Sequence, residues 1–152
     1  MARIEASIEI AAAPAVVFRV CHDLDRRPQW DERVVSTELI TSPPTRRGSL
    51  VRIDAGRSGQ FLFTWEGEYT HYQWPSGSAV RVLDAAPSSP FKSGTEKWEL
   101  RQSGDGTHFT LIWEYQPRGF VARLAYALGR RAATRRAIRR SLQNLKRLVE
   151  AS

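Results

Sequence analysis

The chain has 152 residues, 41% of them hydrophobic, and its 23 Lys and Arg against 16 Asp and Glu give a formal net charge of +7. This length is enough to bury one substantial core, so we expect a single domain over residues 1–152. No segment approaches the roughly 18 apolar residues that a membrane span needs, and the N-terminus does not have the pattern of a signal peptide. We therefore expect a cytoplasmic protein.

The sequence offers little for metal or cofactor chemistry. Its one cysteine, Cys21, excludes an internal disulfide. The three histidines, His22, His71 and His108, are scattered and have no close set of further ligands. We find no Gly-x-Ser-x-Gly elbow and no phosphate-binding glycine loop. We expect no metal site and no cofactor.

The N-terminal segment predicts a strand followed by two short helices. Apolar and polar residues alternate over residues 3–10, which is typical of a half-buried strand. Pro14 suits the first turn of a short helix that ends near Asp23. Asp23 can cap a second short helix, which we expect to end at Pro28 and Trp30.

From Val34 onward, clusters of Gly, Pro and Ser separate apolar segments and predict six further strands. We place these strands at residues 34–41, 49–55, 60–73, 78–84, 92–102 and 107–116. Short links that contain glycine favour antiparallel neighbours. The expected sheet is a meander of seven strands, including the first.

Residues 118–152 carry ten Lys and Arg and one acid, a formal charge of +9. Apolar residues recur at helical spacing, which predicts one long amphipathic helix that closes the chain. These residues are Val121, Leu124, Leu128, Ile138, Leu142, Leu145 and Val149.

Arg131 and Arg135 lie within the apolar arc of this helix, just after Gly129. Three explanations remain open. The helix bends at Gly129, or the two arginines cross the apolar stripe with their charged groups in water, or one of them reaches an acidic ligand group or Glu96.

Alternation along the strands places an unusual number of aromatic residues on one face of the sheet. Glu96 and His71 share this inward parity, whereas Arg52 and Glu66 fall on the opposite face. An inward carboxylate needs a charged partner, a raised pKa or access to water. The aromatic face is either a solid core or the wall of a ligand pocket.

Several segments together resemble one known family. They are Ile8-Glu-Ile-Ala-Ala-Ala-Pro-Ala-Val-Val-Phe18, Asp23-Leu-Asp-Arg-Arg-Pro-Gln-Trp30, Gly104-Asp-Gly-Thr107 before a strand that ends Trp113-Glu-Tyr115, and Leu142-Gln-Asn-Leu-Lys-Arg-Leu-Val-Glu150. In order and spacing they are similar to the polyketide cyclase/dehydrase and lipid-transport family of the START-like (SRPBCC, Bet v 1-like) superfamily.

The resemblance implies an α+β helix-grip fold, in which a seven-stranded curved antiparallel sheet wraps around a long C-terminal helix and two short helices follow strand 1. It also implies an apolar cavity between the sheet and the N-terminal half of that helix. The residues expected to bind a ligand there are Trp30, Phe61, Phe63, Trp65, Tyr69, Glu96, Trp98, Trp113, Tyr115, Phe120, Leu124 and Leu128.

Three functions are compatible with this sequence, since the superfamily supports many activities on one scaffold. The first is binding of a hydrophobic small molecule that is a lipid, an isoprenoid or polyketide-like. The second is an aromatase/cyclase or dehydratase, with Glu96, Tyr69, His71 and Tyr115 as the weak candidates for acid–base catalysis.

The third function is contact with a ribosome, RNA or an anionic membrane surface. It would use the basic helix face of Arg136, Arg139 and Arg140, because residues 118–149 contain no acid that could neutralise it.

Overall fold

The structure is a computed structural model that describes residues 1–119, 124 and 129–152. Seven strands form one antiparallel sheet. They are β1 (Ala2–Ile10), β2 (Val34–Leu39), β3 (Leu50–Arg57), β4 (Gln60–Gln73), β5 (Gly77–Ala85), β6 (Phe91–Ser103) and β7 (Gly106–Pro117). The strand order is β1-β7-β6-β5-β4-β3-β2, so consecutive strands pair as hairpins from β2 to β7 and β1 joins the β7 edge. The predicted meander is confirmed.

Two short helices follow β1, and one long helix ends the chain. They are α1 (Pro14–Cys21), α2 (Arg27–Trp30) and α3 (Arg131–Glu150), with a 3₁₀ turn at Leu24–Arg26 before α2. Curved sheet, paired short helices and C-terminal helix together make the α+β helix-grip fold that was predicted.

Asp23 caps the 3₁₀ turn as expected, because its carboxylate accepts a hydrogen bond from the backbone N–H of Asp25 at 3.2 Å. The prediction that Pro28 stops this segment is wrong. Pro28 lies in the first turn of α2, where a helix has no intrahelical acceptor for a backbone N–H and proline therefore costs little.

A β-bulge changes the inward set on β4. The pairing register between β4 and β5 shifts between Tyr69 and His71. Because a shift of one residue reverses which side chains face the core, Tyr69 is buried and Tyr72 packs against the core, whereas His71 is exposed. The predicted inward position of His71 is wrong.

The apolar side of α3 packs onto the rest of the core through Ile138, Leu142, Leu145 and Val149, all nearly inaccessible to solvent. Gly129, just before α3, has φ +142°, so a regular right-handed helix cannot run through it. The predicted helix is therefore interrupted at this glycine. Its expected apolar residues Val121 and Leu128 lie outside the described residues.

The two arginines after this break do not reach Glu96. Arg131 is exposed and donates a hydrogen bond to the backbone carbonyl oxygen of Arg3 at 3.1 Å, and Arg135 is half-buried. Within the described part of the chain, no helix is long and apolar enough to cross a membrane.

Candidate ligand cavity

A cavity of about 640 Å³ lies between the concave side of the sheet and the N-terminal half of α3. Strands β3, β4, β6 and β7 supply most of its apolar wall, and small residues of α3 supply the opposite side. The apolar lining residues are Val34, Ile53, Ala55, Leu62, Phe63, Trp65, Pro90, Phe91, Trp113, Tyr115, Pro117, Ala133 and Ala137.

Phe91 lies at the centre of the aromatic wall. The centroid of its ring is 5.1 Å from that of Trp113, 5.5 Å from that of Phe63 and 6.1 Å from that of Trp65, each in an edge-to-face arrangement. Trp113 and Tyr115 stack with centroids 5.2 Å apart. Since aromatic side chains bury large areas with few rotatable bonds, this wall is a rigid surface for an apolar or planar molecule.

Four charged side chains, which we call the buried charge cluster, lie at the inner end of the cavity: Arg27, Asp31, Arg33 and Glu96. Arg27 contacts Asp31 at 2.8 Å and Glu96 at 3.1 Å, and Arg33 contacts the same two carboxylates at 2.9 Å and 2.7 Å. The formal charges of the cluster cancel. Arg27, Arg33 and Glu96 line the cavity, and Asp31 lies behind them with no exposed surface.

Alternating charges stabilise this cluster despite its burial. Burial by itself raises the pKa of the Asp31 carboxyl, but Arg33 and Arg27 outweigh this effect and hold that pKa well below its usual range. The Arg27 guanidinium also lies over the Trp98 ring, 4.7 Å from its centroid. Arginine suits this position because its planar group can bond two carboxylates at once.

The partner expected for Glu96 is thus a pair of arginines. The Trp98 indole N–H also donates to Glu96 Oε2 at 3.1 Å, so both oxygens of this carboxylate are engaged. Arg52 and Glu66 lie on the outer face of the sheet, as predicted, and they pair with each other there.

Among the residues expected to bind a ligand, the structure brings Phe63, Trp65, Glu96, Trp113 and Tyr115 to the cavity.

The other expected ligand-binding residues lie elsewhere. Tyr69 and Trp98 line a separate space of about 10 Å³, and Trp30 is 1% exposed within the core. Phe61, next to the turn of the β3–β4 hairpin, is 55% exposed, and Leu124 is 54% exposed. Phe120 and Leu128 lie outside the described residues.

The weak catalytic candidates are not gathered at one point. Burial raises the pKa of the Tyr69 phenol, which keeps it protonated, and Tyr69 lies outside the large cavity. His71 is exposed on the sheet. Glu96 and Tyr115 do line the cavity, but Glu96 already accepts bonds from two arginines and an indole.

The sequence interpretation missed Phe91, Arg27 and Arg33. Phe91 precedes the predicted start of its strand, and a register shift between Phe91 and Ser93 disrupts its parity. Arg27 and Asp31 stand four residues apart, which is a detectable signal for a helical ion pair. Nothing local to Arg27 indicates its connection to Glu96, which lies 69 positions further along the sequence.

Four further arginines line the cavity and are exposed; we call them the arginine rim: Arg57, Arg130, Arg136 and Arg140. Arg140 pairs with Glu32 at 2.9 Å. Of the predicted basic helix face, Arg136 and Arg140 border the cavity, whereas Arg139 is exposed and absent from the lining.

A curved sheet gripping a C-terminal helix around an aromatic cavity defines a helix-grip protein. The family model described as Polyketide cyclase / dehydrase and lipid transport matches residues 1–150, and the chain belongs to this family. This membership supports a hydrophobic ligand-binding or polyketide-processing role.

Solved structures share the fold at low sequence identity. TTHA0849 from Thermus thermophilus is 18% identical with a TM-score of 0.80, covering 99% of this chain and 98% of that chain. The ZhuI aromatase/cyclase from Streptomyces sp. R1128 is 17% identical with a TM-score of 0.78, covering 98% and 93%. Ara h 8.0201 is 11% identical with a TM-score of 0.68, covering 99% of each chain. No curated protein matches the chain.

Proposed function

We propose that this protein binds a hydrophobic small molecule, a lipid, an isoprenoid or a polyketide-like compound, in the cavity between the sheet and α3. The observation that carries the proposal is the cavity of about 640 Å³ with its wall of Phe63, Trp65, Phe91 and Trp113. Small-molecule sites are typically apolar cavities of about 300–1,000 Å³ with a few polar groups. Membership of a family of cyclases and lipid-transport proteins supports the same assignment.

Binding explains the cavity better than catalysis does. A cyclase or dehydratase needs a base to remove a proton and a donor to polarise a carbonyl group. Glu96 is a poor base here, since removing a proton would require it to give up contacts with Arg27 or Arg33. Tyr115 also lines the cavity and is the residue on which an aromatase/cyclase alternative would depend.

Filling the cavity should abolish binding. N-phenyl-1-naphthylamine, a neutral fluorescent probe of apolar sites, is expected to bind the purified chain. Ala133 lines the cavity on α3, so Ala133→Trp places an indole in the space that the probe would occupy. We expect fluorescence titration to show affinity weakened about tenfold or more, comparable to losing roughly 1.4 kcal/mol of apolar contact.

The neighbouring residue provides the control. Ala132 is exposed and does not line the cavity, so Ala132→Trp adds the same side chain to the same helix without filling the space. Its affinity for the probe should match that of the original chain. Equal binding by the Ala133→Trp and Ala132→Trp variants, or no binding by the original chain, would count against the proposal.

A further inference from the structure

The arginine rim carries positive charge that the protein does not neutralise. Arg140 has Glu32 as a partner, but the side chains of Arg57, Arg130 and Arg136 form no ion pair or hydrogen bond with residues 1–119, 124 and 129–152. The sequence contains no acid between positions 118 and 149, so the remaining residues of that stretch add no carboxylate.

The rim and the buried charge cluster lie at different depths of the same cavity. In the cluster, two arginines face two carboxylates and the formal charge is zero. The unpaired arginines are all exposed: Arg57 ends β3, Arg130 directly precedes α3, and Arg136 lies on α3. The excess positive charge therefore belongs to the opening of the cavity and not to its inner end.

The wall and the rim of the cavity differ in chemical character. The interior wall is apolar and aromatic, whereas the arginine rim adds exposed guanidinium groups to the lining. Guanidinium groups form paired, charge-assisted hydrogen bonds with carboxylates and phosphates. A bound anion would also relieve the repulsion among like charges that no acid offsets.

We propose, resting on the ligand-binding function above, that the ligand is an anionic amphiphile. Its apolar body lies against Phe63, Trp65 and Trp113, and its carboxylate or phosphate group lies at the rim against Arg57, Arg130 and Arg136. The neutral cluster of Arg27, Asp31, Arg33 and Glu96 ends the cavity without attracting the anion.

Two probes with the same body test this inference. 1-Anilinonaphthalene-8-sulfonate is N-phenyl-1-naphthylamine with a sulfonate group, which stands in for a carboxylate or phosphate. We expect the sulfonate probe to bind about three- to tenfold more tightly than the neutral probe. Raising the salt concentration to about 0.5 M should reduce this preference, because exposed charges are then screened over a few ångströms.

Substitution at the rim should remove the preference without removing the pocket. The double variant Arg57→Gln/Arg136→Gln is expected to lower the affinity ratio of the two probes towards one by weakening binding of the sulfonate probe. Arg139→Gln/Arg19→Gln is the matched control, since it removes two exposed, unpaired arginines that do not line the cavity. A ratio near one in the original chain, or an equal fall in both variants, would overturn the inference.

Displacement of the neutral probe separates the two sources of negative charge. Palmitate, lysophosphatidic acid and methyl palmitate are compared as competitors. Stronger displacement by palmitate identifies a carboxylate ligand, and stronger displacement by lysophosphatidic acid identifies a phosphate ligand. If methyl palmitate competes as well as either, the anionic assignment is overturned while the binding function stands. If the neutral probe itself fails to bind, the binding function falls first.

Discussion

Replacing Asp31 with asparagine is expected to lower the free energy of unfolding by about 3–5 kcal/mol, as for other buried ion pairs that lose one partner. The Asp31 carboxylate is inaccessible to solvent and accepts hydrogen bonds from the side chains of Arg27 and Arg33. Without its charge, two guanidinium groups share the single carboxylate of Glu96. Urea denaturation of both chains near pH 7 would measure the loss.

An exposed pair provides the comparison. Glu66 and Arg52 lie 3.3 Å apart with side chains 42% and 44% exposed. Glu66→Gln should cost less than about 1 kcal/mol, because solvent screens this pair. If Asp31→Asn costs no more than Glu66→Gln, the buried charge cluster does not hold the inner end of the cavity together.

The cluster also explains how α2 is positioned against the sheet. Arg27 belongs to α2, Arg33 follows it, and Glu96 lies on β6. Hydrophobic contacts such as Trp30 against Trp98, with ring centroids 5.5 Å apart, are tolerant of small shifts. Hydrogen bonds between guanidinium donors and carboxylates are less tolerant of such shifts. The ion pairs therefore select one packing of α2 over others and keep the inner wall of the cavity in place.

The strands could be predicted closely because their signals are local. Each turn between consecutive strands from β2 to β7 contains Gly, Pro or Ser residues, and no strand bound differs from its predicted position by more than two residues. The pairing register of neighbouring strands does not depend on local sequence alone. A bulge near Tyr69 turns His71 outward. A second register shift, near Phe91, means that alternation along the strand does not identify Phe91 as an inward residue, although it lies at the centre of the cavity wall.

The polar part of the site was less predictable for a different reason. The apolar periodicity of α3 correctly predicts that Ile138 and Leu142 face the core. The same pattern predicts that the charged residues of this helix face water. The cavity instead adjoins a second side of this helix, where Ala133 and Ala137 leave space and Arg136 borders it. Hydrophobic patterning detects residues that pack into a core, but it does not detect charged residues that border a cavity.

Acidification is expected to destabilise the fold through His22. Burial lowers the pKa of His22 to about 4, an effect opposed by its bond to the Phe18 carbonyl and reinforced by Arg27. Unfolding restores a pKa near 6.5, so between these values the unfolded chain binds more protons. The free energy of unfolding should therefore fall as pH drops through this interval, by about 3 kcal/mol in all. Urea denaturation at a series of pH values measures it.

The buried imidazole has a partner at each ring nitrogen. Nδ1 donates to the Phe18 carbonyl oxygen at 2.9 Å, which leaves Nε2 to accept from the Ser78 hydroxyl at 2.7 Å, so a second ring proton would reverse this bond and place a charge in a buried site. His22→Gln should lower stability at neutral pH yet flatten its pH dependence, whereas exposed His71→Gln should retain the full slope. Asp31 affects stability in a different pH range. Because folding lowers the pKa of its carboxyl, its contribution to the free energy of unfolding is lost only as pH falls below about 3.8. An unchanged slope between about pH 6.5 and 4 in His22→Gln would assign the acid sensitivity to another group.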